Sequence, residues 1–421
     1  MSEDFNLKSR TYWKRMGWGL FLGLISAIGA FIFIMLMNLG QSIFLGNLAH
    51  NWTPFSGPWW IVGVMTVAGL LVGILHRFTP ARQIDAFGAL GKGYLDPKPV
   101  PSSLLASFIS LIGGFSLGPE VPTGFLAAGL GSWVSRRREM DAETTRTNVL
   151  SSISGAYAGL FSSPLTMLLM LLESDHKQSI IYYGTLLIAG FAAVIGFALF
   201  YALEGFNFSS LLGILSLPAY DLLLWHLGVS VLLGIIAVPV ALIFVILTRI
   251  FGRLVEPLNS KPILRSTLGG LLLGLLAVAL PITIGLGTTE MSVVTQQAAE
   301  IGVILLVIFA LAKLVALSGA LNFGFIGGPI FPLLFVGSSL GAAINQIFPQ
   351  VPLGLALGCM IVAVPAAIVP IPLALGALVI IIIGLSAANA LPVFVAALVA
   401  FSITRGLIMG GDQEKDSVEK V

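Results

Sequence analysis

The chain has 421 residues, 57% hydrophobic and only 10% charged, and its 21 basic and 19 acidic side chains leave a formal net charge of +2. Soluble domains carry about 25% charged residues, and the mean hydropathy here is +1.01, so a soluble globular protein is excluded. The near-neutral balance gives no basic surface for nucleic acid, and none is expected as a partner.

A lipid-spanning helix needs about 20 apolar residues. Residues 1–16 form a polar, basic arm with Lys8, Arg10, Lys14 and Arg15, expected in the cytoplasm. The first apolar run, Leu20–Leu39, lacks a small-residue cleavage signature and reads as a retained helix, not a signal peptide. Further runs cover Trp59–Leu75, Val149–Leu172, Ile181–Leu203, Leu222–Leu247, Leu268–Ile284 and Ile301–Leu321. No Asp, Glu, Lys, Arg or His occurs from Leu314 to Thr404. The predicted class is an all-α polytopic membrane protein, since barrels show short alternating segments instead of long apolar runs. Residues 17–410 are expected to form the transmembrane domain and 411–421 a polar tail with no regulatory domain appended. Cys359 lies alone in an apolar segment and reads as a buried small side chain. No disulfide, metal or cofactor is expected.

Basic residues set the orientation. They cluster at His76, Arg77 and Arg82, at Arg136–Arg138, in the stretch 253–265 and in the N-terminal arm, whereas 45–58, 203–221 and 285–298 hold no Lys or Arg. The positive-inside rule places the first group, and both termini, in the cytoplasm of a multi-pass protein of the plasma (inner) membrane.

The two halves resemble each other. "GFSLGPEVP" at 114–122 aligns without gaps on "GFIGGPIFP" at 324–332, an offset of 210, with five of nine positions identical. Phe125, Leu130 and Gly131 continue the match onto Phe335, Leu340 and Gly341. Chance similarity of Gly- and Pro-rich helices is the plain alternative. The functional reading is a duplication, with repeat one at about 17–205 and repeat two at about 221–410, and a site where they meet. Pro122 and Pro332 suit the first turn of a helix, where a missing N–H is harmless. Each half would then start a helix near mid-membrane. Its free N–H groups and positive dipole end, worth roughly +0.5 charge, would face an anion. Thr79-Pro80 is a third candidate start for a helix running to Leu90, or equally the start of a surface helix.

Between Pro99 and Ser135 the only titratable residue is Glu120. An ionised carboxylate at mid-bilayer costs on the order of 3 kcal/mol, and a helix N-terminus offsets part of that. Glu120 therefore reads as a tethered anion that protonation would release. The alternative is a structural carboxylate paired with a buried cation such as Lys313.

Leu117-Gly118-Pro119-Glu120-Val121-Pro122 resembles the G-[K/R]-E-G-P pattern around the gating glutamate of the CLC family of chloride channels and chloride/proton exchangers. Gly327-Gly328-Pro329-Ile330-Phe331-Pro332, after Ser318-Gly319, resembles the family's G-G-x-F-x-P. Ser163-Pro164-Leu165, running to Glu173, resembles an A-P-L step that opens a helix ending in acidic residues. The resemblance spans about residues 17–410. It implies an inverted-repeat fold with broken and re-entrant helices, and a homodimer with one anion pathway per subunit. It further implies Glu120 as the gate. The anion would be held by backbone N–H groups of Gly328, Ile330 and Phe331, and by the turn containing Gly118 and Glu120. Several positions depart from the pattern. The G-S-G-I-P serine motif is absent and Thr79 is only its positional candidate. No Tyr follows Tyr220, Pro119 replaces a basic residue, Val121 replaces a glycine, and Pro329 lacks an N–H. Ser174 stands where exchangers carry a proton-relay glutamate, which leaves Glu173, Asp175 and His176 as candidates for a proton path.

The expected function is transport of chloride or a similar small anion through the bilayer, gated by Glu120, with weak or absent proton coupling. Fluoride/proton antiport and a transport-inactive membrane scaffold are the alternatives. An enzyme is not expected, since no H-E-x-x-H or G-x-S-x-G string occurs and the four histidines lie toward segment ends.

Overall fold

Ser9 opens the first helix: its hydroxyl accepts the Thr11 N–H at 3.3 Å, the usual way to satisfy an orphan donor. The computed structural model describes residues 9–46, 53–174, 183–205, 217 and 220–418. In the first half, α1 (Arg10–Phe44), α2 (Trp60–Phe78), α3 (Ala86–Lys92) and α4 (Val100–Ile112) are followed by α5 (Glu120–Arg137), α6 (Ala142–Leu160), α7 (Pro164–Glu173) and α8 (Tyr183–Leu203). The second half contains α9 (Leu224–Val255), α10 (Pro262–Ala279), α11 (Thr288–Ile301), α12 (Val303–Phe323), α13 (Ile330–Ile347), α14 (Leu353–Ala366), α15 (Pro372–Ile383) and α16 (Ala387–Val418). Among the described residues, α1, α2, α8, α9, α10, α12, α13 and α16 include a stretch long and apolar enough to cross a membrane, and α4, α7, α14 and α15 are shorter apolar helices. This is the all-α, broken-helix architecture that the sequence predicts.

One apolar run is not one helix. Val149–Leu172 divides between α6 and α7, because Ser162 turns into the left-handed region at φ 50°. The Ser163 hydroxyl then accepts the Thr166 N–H at 3.0 Å, and Pro164 takes the first helical position. Serine cap and proline together stop one helix and start the next, as the Ser163-Pro164-Leu165 motif implies. Part of the expected N-terminal arm is helical. Helix α1 already runs from Arg10, and Arg15 docks on the start of α6, where it pairs with Asp141 at 3.6 Å and with Glu143 and donates to the Thr144 hydroxyl.

Close backbone approach holds the helices together. A Cβ added at Gly155 of α6 would strike the Gly23 backbone of α1, and one at Gly196 of α8 would strike the Gly155 backbone. Small residues at such crossings maximise dispersion contact where lipid offers no hydrophobic drive.

Lys313 is fully buried in α12 and donates to the carbonyls of Ile282, Ile284 and Gly285 at 3.2, 3.1 and 2.9 Å, with the Phe335 ring 5.3 Å from its ammonium. The carboxylate electrostatically coupled to it is Glu290 of α11, not Glu120, which removes the structural pairing of Glu120 with Lys313. Lys313 instead fixes the turn 282–285, and the Gly285 N–H reaches the Gly114 carbonyl at 2.8 Å. Lys313→Met should leave the carbonyls of Ile282, Ile284 and Gly285 without their donor and cost on the order of 1–3 kcal/mol, while the Lys313→Met/Glu290→Leu double variant should recover part of that by also removing the buried carboxylate. Thermal unfolding of the three proteins in detergent checks the order. A double variant no more stable than Lys313→Met contradicts it.

Candidate functional site

The two nine-residue motifs meet, and they meet position on position. Gly114 ends the segment after α4 at φ 86°, and Gly324 ends α12 at φ 96°, a conformation glycine adopts without steric cost. The rings of Phe115 and Phe325 stack with centroids 3.5 Å apart. Gly118 and Gly328 form an isolated antiparallel bridge, each N–H donating to the other's carbonyl at 2.7 and 2.8 Å. Two residues later α5 and α13 begin, 18 residues each. The helices therefore start at Glu120 and Ile330. Pro122 and Pro332 occupy the third helical position, where the N–H they lack would have had no intrahelical acceptor.

This bridge corrects the expected donor set. The Gly118 and Gly328 amides are consumed by each other, so neither faces an anion. What these glycines contribute is room. A Cβ added at Gly118 would collide with the Glu120 carboxylate, and so would one at Gly328. Of the expected donors, Ile330 reaches the site: its N–H donates to Glu120 Oε1 at 2.7 Å. Phe331 follows in the same first turn, whose N–H groups lack intrahelical acceptors, and its ring stacks on Phe161 at 6.3 Å.

Glu120 is fully buried. Oε1 accepts the Ile330 N–H, and Oε2 has no hydrogen-bond partner. The carboxylate thus lies on the positive end of α13 with one oxygen bonded and the other without a partner, a half-satisfied arrangement that burial makes costly.

The loop before α13 is held by its carbonyls. Asn322 O accepts from Arg265, Phe323 O from Ser266, Gly324 O from His76, Ile326 O from Ser107, and Gly327 O from Gln83, at 2.7–2.9 Å. With these acceptors engaged by α2, α4, α10 and the extended segment 79–85, the Ile330 N–H that follows is aimed at Glu120. On the other side the buried Tyr157 of α6 donates its hydroxyl to the Glu120 carbonyl at 2.7 Å, and its ring packs between Phe161 and Phe87. Phe87 lines a cavity of about 1660 Å³ bordered by Asp85, Lys92, Arg136, Glu173 and Arg405, at the helix ends that carry the basic clusters.

Other expected residues lie elsewhere. Thr79 does not open a helix. It ends α2, donating its hydroxyl to the Leu75 carbonyl at 2.6 Å and accepting from Ala81 N–H, and the chain runs extended until Asp85 caps α3 through Gly88 N–H at 2.7 Å. Asp85 wins the cap because its carboxylate reaches the third N–H of the helix. The Glu173 carboxylate takes the Leu373 and Ala374 N–H groups at 2.7 and 2.8 Å, and so caps α15. Glu173→Ala should cost about 1 kcal/mol of stability, seen as a lower unfolding temperature in detergent, and an unchanged temperature contradicts the capping role. Asp175 and His176 lie outside the described residues.

Tyr157, Gln83, Ser107 and His76 were not singled out as site residues by the sequence. The available signal was weak: each is a polar group in or beside an apolar helix.

The family model for the voltage-gated chloride channel matches residues 81–405, and the chain belongs to that family, one of membrane transport proteins. Among its relatives, a protein of Escherichia coli O139:H28 named as ion-transport protein YfeO is 28% identical over 357 residues, 81% of this chain and 82% of the relative. A protein of the same name from Shigella boydii serotype 4 is 29% identical over 318 residues, 73% of each chain. Among solved structures, a slow cyanobacterial Cl−/H+ antiporter superposes with a TM-score of 0.76 at 20% identity, covering 96% of both chains. A CLC-type fluoride/proton antiporter superposes equally, at 0.76 and 19% identity, over 94% of this chain and 97% of the other.

Proposed function

We propose that this protein moves a small inorganic anion, chloride or a similar halide, across the membrane, with Glu120 as the gate. The observation that supports this reading most is the carboxylate itself: a fully buried anion on the N-terminus of α13, bonded to Ile330 and with Oε2 unpartnered. An ion of the same charge fits where the carboxylate now lies, once Glu120 is protonated and withdrawn. Ile330 and Phe331 N–H groups are the donors, and Gly118 and Gly328 keep the space open. Tyr157, Phe161 and Phe87 lead from this point toward the large basic-rimmed cavity, the inner mouth of the pathway. Each subunit of a homodimer in the inner membrane would carry one such route, with both termini cytoplasmic.

Proton coupling is weak in this reading. Glu173 is engaged as a helix cap, and Ser174 hydrogen-bonds to the carbonyls of Met170 and Leu171, so neither is a free proton acceptor at the end of α7. Fluoride/proton antiport is the second reading, favoured by the equal likeness to the fluoride/proton antiporter and by the donor lost at Pro329. Purified protein in liposomes, loaded in turn with chloride and fluoride and followed by ion-selective electrodes, separates the cases. Chloride efflux well above empty liposomes supports the first reading and fluoride-only efflux the second. Absence of both would reduce the chain to a scaffold that keeps the fold without the transport.

A further inference from the structure

His76 stands in the last turn of α2, half-buried, with both ring nitrogens facing carbonyl oxygens. Nδ1 lies 2.9 Å from Ala81 O and Nε2 lies 2.7 Å from Gly324 O. A carbonyl oxygen only accepts, and a neutral imidazole has one N–H and one acceptor nitrogen. Only the imidazolium donates at both ends. The two carbonyls are 243 positions apart in sequence: Ala81 opens the extended segment of repeat one, whereas Gly324 opens the motif that carries the α13 N-terminus.

We infer that His76 is a positioning residue whose doubly protonated ring straps the extended segment 79–85 to the anion-binding loop 324–329. This rests on the anion-transport reading for its functional consequence, but not for its chemistry. The C-terminal end of α2 favours a cation at this point through its dipole. The charged groups on the surrounding elements are Arg77 on α2, Arg82 and Asp85 in the extended segment, and Lys261 and Arg265 at the start of α10; α4 and the 322–328 loop contribute none. Arg265 is the one that shares the loop with His76, and its guanidinium is already committed to Asn322 O and the Asn259 side chain. Losing the second proton leaves one strap carbonyl facing a lone pair. The link between segment and loop is then broken at one end, although Gln83, Ser107, Ser110 and the Gly118 bridge still hold the loop itself, and the aim of the Ile330 and Phe331 N–H groups is less tightly fixed.

A ring with a single N–H serves only one of the two carbonyls, so the strap should be stronger at the acidic end of a pH series than at the alkaline end. The test has two arms. In protein retaining His76 as its only histidine, with His50, His176 and His226 replaced, ring-nitrogen NMR at the acidic end should show both nitrogens protonated. In liposomes, His76→Gln should lower anion flux about fivefold at the acidic end, roughly what one net hydrogen bond is worth, and the two proteins should converge at the alkaline end. Convergence is the signature, because a side chain that merely fills space would lower flux by the same factor at every pH. A neutral single-tautomer ring at the acidic end, or a wild-type to variant flux ratio independent of pH, overturns the inference. The NMR arm reads the ring directly, so it stands or falls separately from whether the protein transports chloride.

Discussion

Glu120→Gln is expected to flatten the dependence of anion flux on external pH while leaving transport intact. With Glu120 as the proposed gate, a fall in pH would protonate the carboxylate, weaken its bond to the Ile330 N–H and let an anion take its place, so wild-type flux should rise as pH falls. The amide is neutral at every pH, competes poorly for the α13 N-terminus, and leaves the site accessible throughout. A charged hydrogen bond contributes about 1.5–3 kcal/mol, so the wild-type flux should change by about tenfold or more across the titration, and the variant's hardly at all. Liposome efflux with pH stepped on one side measures this. Retention of the full pH dependence in the variant would make Glu120 structural and remove the gate.

Gly328→Ala is expected to act through Glu120, and the coupling between them is the informative quantity. The new Cβ would occupy the space of the carboxylate, so the side chain must be expelled from its berth. Flux should lose its pH dependence, and its absolute level should fall because the methyl also narrows the space left for an ion. Stability should drop by roughly 1–3 kcal/mol, the range for overpacking a tight site. In a Glu120→Ala background the same substitution meets no carboxylate and should cost far less. The expected interaction energy is on the order of 1 kcal/mol or more, as for residues in direct contact. Unfolding midpoints for the four proteins give it. Additive losses would mean that the methyl clashes with backbone instead.

The class and the meeting of the repeats were legible in the sequence because both follow from local chemistry. Long apolar runs span lipid whatever their neighbours, and an ungapped match of Gly114–Pro122 to Gly324–Pro332 encodes a shared backbone shape, including the left-handed glycines at its start. Glu120 stood out because nothing else titratable surrounds it. The pairing of the two glycine amides was not legible, because it is not local. Sequence shows that Gly118 and Gly328 have N–H groups, but not that these point at each other, since that depends on two segments 210 residues apart. The same limit hid His76, Gln83, Ser107 and Tyr157, whose roles consist of reaching a particular distant carbonyl. Thr79-Pro80 carried a good helix-start signature and lost to Asp85, because the chain between them must stay extended to pass the loop of the second half.

The pair of hydrogen bonds between Gly118 and Gly328 ties the halves of the molecule together beside Glu120. Transporters that expose a site alternately to each side often do so by rocking one half against the other. Here such a movement would have to tear the bridge and unstack Phe115 from Phe325 in every cycle. If the proposed transport runs with the bridge intact, access would be switched by side chains turning inside a frame that stays still. Spin labels placed on the two halves should therefore report one unchanging separation throughout turnover, and the speed of the cycle should be set by how fast a single carboxylate swings and takes up a proton, with no large-scale motion to wait for.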